Sequence, residues 1–233
     1  MTVKNICCPP YLEINTSDLF MRTVSVFSVC KTRVAHGPRS HQMSLIFSDS
    51  GLPDAHPPCV LQSFVNHGAV LHKVFVVGDS HFTVERPSLK NFPLGPSDRP
   101  TIFFNSHDVS KPASCSPLTA VSVFMPPPSD ALAALVEELR TQLDMSLFGV
   151  DIIIDLQTHA LTVIDINVFP GYEGVPQFFP SLLRYIESIM EKQVDFLSTT
   201  GSSTEGASSS SSSVIITAAA YCISWDFRVQ TDR

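Results

Sequence analysis

An α+β domain in which two β-sheet layers face each other across a cleft is the fold class this sequence predicts, and three observations predict it. Two runs rich in β-branched residues, 148–154 and 161–168, flank a short polar break. An earlier pair of runs, Ala69 to Val77 and His81 to Arg86, flanks Gly78-Asp79-Ser80. Between the two pairs, Leu132, Leu135, Val136, Leu139 and Leu143 recur at helical spacing. Strands, then a helix, then strands again suits segregated layers better than strict alternation does.

Along the chain, an irregular start containing Cys8-Pro9-Pro10 leads to a strand over Val24 to Val29 that delivers Lys31. A polar loop with Gly37 and Pro38 precedes a short apolar stretch, Met43 to Phe47. The next strand, Cys59 to Val65, ends at the turn signal Asn66-His67-Gly68. In the hairpin that follows, a two-residue loop at Asp79 and Ser80 sets Lys73 opposite Arg86, a costly pair of cations unless an anion lies between them. Pro87 to Pro128 is Pro- and Ser-rich and reads as loop, with one apolar knot at Ile102-Phe103-Phe104. Ser129 is the expected N-cap of the amphipathic helix, which should pack on the second hairpin. A further helix is expected over about Pro180 to Glu191, then a Ser-rich linker over 193–213 and an unassigned tail over 214–233.

The second hairpin carries acids inside its apolar runs. With a five-residue loop, Leu156 to Ala160, Asp151 sits directly opposite Asp165, and Asn167 points to the same face two residues on. Opposed carboxylates repel, so such a cluster is usually offset by a cation, and an oxygen-only set with few protein donors suits Mg²⁺. The inference depends on register, because a one-residue slip sends one aspartate to the other face. Periodicity alone leaves equally open an ordinary hairpin whose acids are solvated on an open sheet face.

The 233 residues are 44% hydrophobic with a net charge of -7, enough for one or two globular units with a sizeable core. The acidic balance and a pI near 5.5 argue against a general nucleic-acid or membrane-surface binder. Residues 31–90 nevertheless hold six Lys or Arg against four Asp or Glu, a net of +2, which suits a small polyanion or simply a solvated basic face. Six cysteines lack metal-ligand spacing and the N-terminus lacks an apolar leader, so reduced thiols in the cytoplasm are expected. No apolar run approaches the roughly 20 residues of a membrane span.

The strings KTRVAHG (31–37), VFVVGDS (74–80), ERPSLKNF (85–92), IFFNSHDVSKP (102–112), LFGVDIII (147–154) and VIDINVFPGYEGV (163–175) together resemble the inositol 1,3,4-trisphosphate 5/6-kinase family. The resemblance spans about residues 5 to 192. It implies the ATP-grasp fold, ATP as co-substrate, two Mg²⁺ ions and transfer of the γ-phosphoryl group to hydroxyls of inositol polyphosphates. By matching motif it implies that Lys31 holds ATP phosphate, that the segment from Gln62 to Lys73 lines the adenine and ribose, and that Ser88, Ser106 and Ser110 touch the nucleotide. Lys73 and His41 would also reach the inositol phosphates, and Arg86 the γ-phosphate. Asp151 and Asp165 match ligands of one Mg²⁺, Asp165 and Asn167 those of the second, and Asn167 and Gly171 meet the substrate.

Lys73, Arg86 and Asp165 are thus the expected catalytic residues. No general base is nominated, because phosphoryl transfer is largely positioning and charge neutralisation. The implied domain is 24–192, preceded by a remnant over 1–23. Members of the family begin with a further N-terminal α/β domain, and the resemblance places this chain beyond it, as a partial or alternatively spliced product. A monomer is expected. Two other readings stay open: a nucleotide-binding module without turnover, and an ATP-grasp ligase that activates a carboxylate.

Overall fold

The computed structural model describes residues 6–16, 27–32, 40–93, 95, 97–121, 125–168 and 170–199, the last six by backbone alone. In chain order the strands are β1 (Ile6–Cys7), β2 (Tyr11–Ile14), β3 (Ser28–Thr32), β4 (Gln42–Ile46), β5 (Cys59–Ser63), β6 (Val70–Val77), β7 (Ser80–Pro87), β8 (Ile102–Asn105), β9 (Leu147–Ile154) and β10 (Leu161–Val168). The helices are α1 (Ser106–Ser110), α2 (Ser129–Leu143) and α3 (Phe178–Thr199). The strands form two five-stranded sheets, ordered β1-β10-β9-β6-β7 and β2-β5-β3-β4-β8.

One face of the first sheet is covered by α2. Leu132, Leu135, Val136 and Leu139 pack there against Val74, Val76, Phe148, Val150, Ile152, Ile154, Leu161, Val163 and Ile166. The spacing of those four leucine and valine positions puts them on one helical face, as the sequence predicts, and Leu135 is fully buried. Truncating it to alanine costs about 2–5 kcal/mol. Because α2 takes this face, side chains of the opposite parity, Lys73 and Asp151 among them, point to the other side.

Several expectations are corrected. Ser129 is the first helical residue, Pro128 takes the cap position, and no side chain caps the helix. The first two strands fall inside the supposed remnant: β1 runs parallel to β10, and β2 pairs with β5, so the domain begins by residue 6 rather than 24. Helix α3 continues to Thr199, so residues 193–199 are helical and the linker does not start at 193. The apolar knot at 102–104 is an edge strand beside β4. The strand expected over 24–29 is described from Ser28; residues 24–26, the 37–38 loop, most of the linker and the tail lie outside the described residues.

The hairpin of β6 and β7 turns at Gly78-Asp79, with Val77 opposite Ser80. Gly78 sits at φ +59, a left-handed conformation that glycine adopts without strain. This moves the register by two residues, so Lys73 faces Val84, and Arg86 faces Leu71. Lys73 and Arg86 still share a face, but they are not opposed. A Cβ on Gly78 would also lie 2.3 Å from the Tyr185 ring, which is how α3 closes on this end of the sheet.

Candidate functional site

The loop between β9 and β10 is Asp155 to Ala160, one residue longer than expected. From it, Leu161 pairs with Ile154, Thr162 with Ile153 and Val163 with Ile152. Continued straight, that ladder would put Asp165 opposite Val150 and into the core under α2. A bulge at Ile164 prevents this: the register shifts, and Asp165 pairs with Asp151, Ile166 with Val150 and Asn167 with Gly149. The sequence therefore yields the right acid pair through two compensating differences, a longer loop and one extra residue. Asp155, the other acid of the run, is a turn residue. Its carboxylate accepts from the Gln157 N–H and the Thr158 hydroxyl at 2.8 and 2.9 Å.

Strand β6 lies on the other side of β9, with Lys73 directly opposite Asp151. Its Nζ donates to both carboxylate oxygens at 3.0 and 2.9 Å. Asp165, Asp151 and Lys73 thus form a charged row across three strands. Burial pushes the Asp151 carboxyl above its ordinary value of 3.8; Lys73 pulls it back, Asp165 raises it further and Lys31 lowers it. Asn167 Nδ2 donates to Asp165 at 3.4 Å, the long end of a hydrogen bond.

The cations do not all lie on the sheet that faces the acids. Lys73 and Arg86 instead share the acids' sheet, because β6 joins β9 across a sequence gap that carries no local signal. Only Lys31 comes from the second sheet. Its Nζ donates to the Ile164 carbonyl at 2.7 Å, a group that the bulge leaves outside the ladder.

Between the sheets lies a cavity of about 690 Å³. It is lined by Lys31, His41, Gln62, Lys73, Arg86, Ser88, Ser106, Ser110, Asp151, Asp165, Asn167 and Gly171, every position singled out in the sequence. At one rim, Ser106 Oγ and His41 Nδ1 are 3.4 Å apart, while the Asn105 side chain accepts from the N–H groups of His107 and Asp108 and starts α1. Ser110 ends that helix. Gly171 is open, with no atom within 4 Å of where a Cβ would sit.

Two positions are committed to partners that sequence reasoning missed. Arg86 is buried, and the loop after β10 folds over it: Nη2 donates to the Glu173 carbonyl at 3.0 Å and lies 3.5 Å from its carboxylate. Gly174, at φ +84, allows this approach, since a Cβ there would be 3.3 Å from Nη2. Ser88 meets buried His67, whose Nε2 is 2.7 Å from the hydroxyl while Nδ1 is 2.7 Å from the Val65 carbonyl. The second contact requires a proton on Nδ1, so Nε2 accepts and Ser88 donates. Burial, above all, lowers the His67 pKa from 6.5. The turn Asn66-His67-Gly68 was visible in the sequence; that its histidine points inward was not.

Residues 1–188 match the inositol 1,3,4-trisphosphate 5/6-kinase ATP-grasp domain. The chain belongs to that family. The ATP-grasp fold is accordingly the architecture of the two sheets and their cleft. The chain is 52% identical over 203 residues to inositol-tetrakisphosphate 1-kinase of Xenopus laevis, covering 82% of this chain and 51% of that protein. It is 49% identical over 205 residues to the protein of the same name from Danio rerio, covering 83% and 52%. The chain thus spans about half the length of these curated relatives. Among solved structures, N5-carboxyaminoimidazole ribonucleotide synthetase from Thermotoga maritima aligns at 15% identity over 79% of this chain and 44% of that one, with a TM-score of 0.46.

ATP-grasp kinases of this family work with ATP and Mg²⁺, and the donor set fits that ion. Asp151, Asp165 and Asn167 offer oxygen alone, and among the described residues no three His, Cys, Asp or Glu side chains gather to enclose a metal by themselves. An ion held by so few protein oxygens keeps waters and shares its shell with phosphate, as Mg²⁺ does. Among the described residues no helix is long and apolar enough to cross a membrane.

Proposed function

We propose that this chain transfers the γ-phosphoryl group of ATP to a hydroxyl of an inositol polyphosphate, and the observation that carries the reading is the charged row with Lys31 above it. Asp151, Asp165, Asn167, Lys31, Lys73 and Arg86 all border one cavity, an arrangement suited to polyphosphate and poorly suited to a neutral ligand. Gln62 and the apolar wall of Val29, Met43 and Phe104 on the second sheet receive the adenine. The hydroxyls of Ser88, Ser106 and Ser110 orient the nucleotide. Lys31, which keeps two N–H groups beyond its bond to Ile164, meets the phosphates.

Asp151 and Asp165 would hold one Mg²⁺, and Asp165 and Asn167 the second; bound there, the ions would neutralise charge on the transferred group and polarise it. Lys73, beside Asp151 at the cleft, would reach substrate phosphate together with His41, while Asn167 and Gly171 border the acceptor. Arg86, already oriented by Glu173, stabilises charge on the γ-phosphoryl oxygens. These residues position the two reactants and leave deprotonation of the hydroxyl without a dedicated base. We take the chain to work in the cytoplasm as a monomer without nucleic-acid partners.

The test is Mg²⁺-dependent transfer of labelled phosphate from ATP to inositol trisphosphate. The reading expects transfer by the chain and its loss in Asp165→Ala. Transfer that survives in that variant rejects the metal assignment, and calorimetric binding of ATP·Mg with no product replaces the kinase by a binding module.

A further inference from the structure

His67 belongs to the turn between β5 and β6, Ser88 follows β7, and both line the cavity. The two segments are tied together beyond that pair. Asn91 Oδ1 accepts from the N–H groups of His67 and Gly68 at 3.1 and 3.0 Å. The Asn66 side chain donates to the Phe92 carbonyl at 2.8 Å and accepts from the Phe92 N–H at 2.9 Å. The Ser88 N–H donates to the Ala69 carbonyl at 2.9 Å, which carries the β6–β7 ladder past its last paired residues. The imidazole, 6% exposed, is therefore held where it lies by the backbone around it and not by Ser88 alone.

A serine hydroxyl has a single proton to donate and two lone pairs. With Nδ1 donating to the Val65 carbonyl, Nε2 accepts the Ser88 hydrogen bond at 2.7 Å, so the hydroxyl turns only lone pairs to the cavity. Burial, which lowers the His67 pKa, keeps Nε2 in the accepting form. A phosphate oxygen, itself an acceptor, finds no proton there, whereas a sugar hydroxyl brings one. Position agrees with that choice. Ser88 lies two residues beyond Arg86, about 7 Å along the strand direction, on the side away from Lys73 and the acids. The apolar wall of Val29, Met43 and Phe104 belongs to the opposite sheet, which leaves Ser88 between the base and the phosphates. We infer, on the reading that the cavity binds ATP, that His67 is a positioning residue: it makes Ser88 an acceptor for a ribose hydroxyl and so makes the site selective for ribonucleotides over deoxyribonucleotides.

The experiment is calorimetric binding of the Mg²⁺ complexes of ATP, 2′-deoxy-ATP and 3′-deoxy-ATP to the whole chain. One of the two deoxy analogues should bind about five-fold more weakly than ATP, the worth of one hydrogen bond to a site built for it. Ser88→Ala and His67→Leu should each bring that ratio close to one. His67→Gln, whose amide oxygen accepts in the same way, should restore it. A histidine that merely shaped the turn would weaken all three nucleotides alike and leave the ratio unchanged. Ser88→Ala, the smaller change, keeps the test decisive where His67→Leu impairs folding. Equal binding of the three nucleotides by the unsubstituted chain overturns the role, as does a ratio that persists in Ser88→Ala. Weaker binding of inosine triphosphate than of ATP, with the difference abolished by Ser88→Ala, overturns it too and assigns the acceptor to the exocyclic amine. Absence of any ATP·Mg binding rejects the nucleotide reading and this role with it, an outcome distinct from equal binding.

Discussion

Lys31 on the second sheet donates a 2.7 Å hydrogen bond to the carbonyl of Ile164, the one residue of β10 that the β9–β10 register leaves without a partner. The bulge that turns Asp165 into the cleft therefore also creates the acceptor that draws the two sheets together. Lys31→Met should cost about 1 kcal/mol in urea unfolding, since the bond is charge-assisted but only half-buried. It should weaken ATP·Mg binding in calorimetry far more than it weakens the fold. Equal losses in both would make Lys31 a structural tie alone.

Deleting Ile164 makes Val163 and Asp165 neighbours, so a regular ladder keeps Val163 opposite Ile152 and Asp165 opposite Asp151, but the carbonyl that accepts from Lys31 is lost with it. Losing that charge-assisted bond should cost about 1 kcal/mol. The expected outcome is a cooperatively folded chain with a lowered thermal midpoint that still rises with ATP·Mg. Loss of the ligand-induced rise in the deletion variant would show that the bulge itself is needed to set the acid pair.

Asp151 has a raised pKa, caused first by burial, so the folded chain holds its proton more tightly than the unfolded chain does. That contribution to stability is fully present below the ordinary value of 3.8 and is lost as pH rises through the folded value. Urea midpoints measured across the acid range should show this decline, and Asp151→Asn should remove it. Mg²⁺ requires the carboxylate, so at a pH where Asp151 is partly protonated its binding should release protons, read as a buffer-dependent enthalpy.

His67 works in the opposite sense. Its pKa is lowered by burial, so its contribution is fully present above 6.5 and is lost as pH falls through the folded value. His72, buried beside Glu85, is shifted the same way and adds to the loss. His67→Gln should flatten the acid limb while retaining a partner for Ser88. An unchanged limb in that variant would place the titration at His72.

Asp165 and Asn167 were legible on one face because alternation with period two is a local property, whereas counting set Asp151 opposite Asp165 only because the longer loop and the bulge offset each other. Lys73 was legible as a cation of the site but not as the partner of Asp151, 78 residues away, because nothing in either run specifies that β6 and β9 are neighbours. The short strands β1 and β2 were missed for a different reason. Two and four residues are too few to show a period, and Cys8-Pro9-Pro10 beside them reads as loop. The bulge did leave a trace, a phase change from Leu161 and Val163 to Ile166, and the Ile164 that causes it is itself apolar and hides the break.

By itself the sequence determined the layer composition, the amphipathic helix, the family and the set of side chains that line the cleft, because each follows from local spacing or from long specific strings. Tertiary structure alone decided that a lysine pairs with Asp151, that Glu173 grips Arg86, that His67 accepts the Ser88 hydrogen bond and that one sheet holds both signs of charge. Those outcomes depend on which strands lie side by side and on how the 170–174 loop folds back, and pairings between distant segments are set by global packing, which no local pattern encodes.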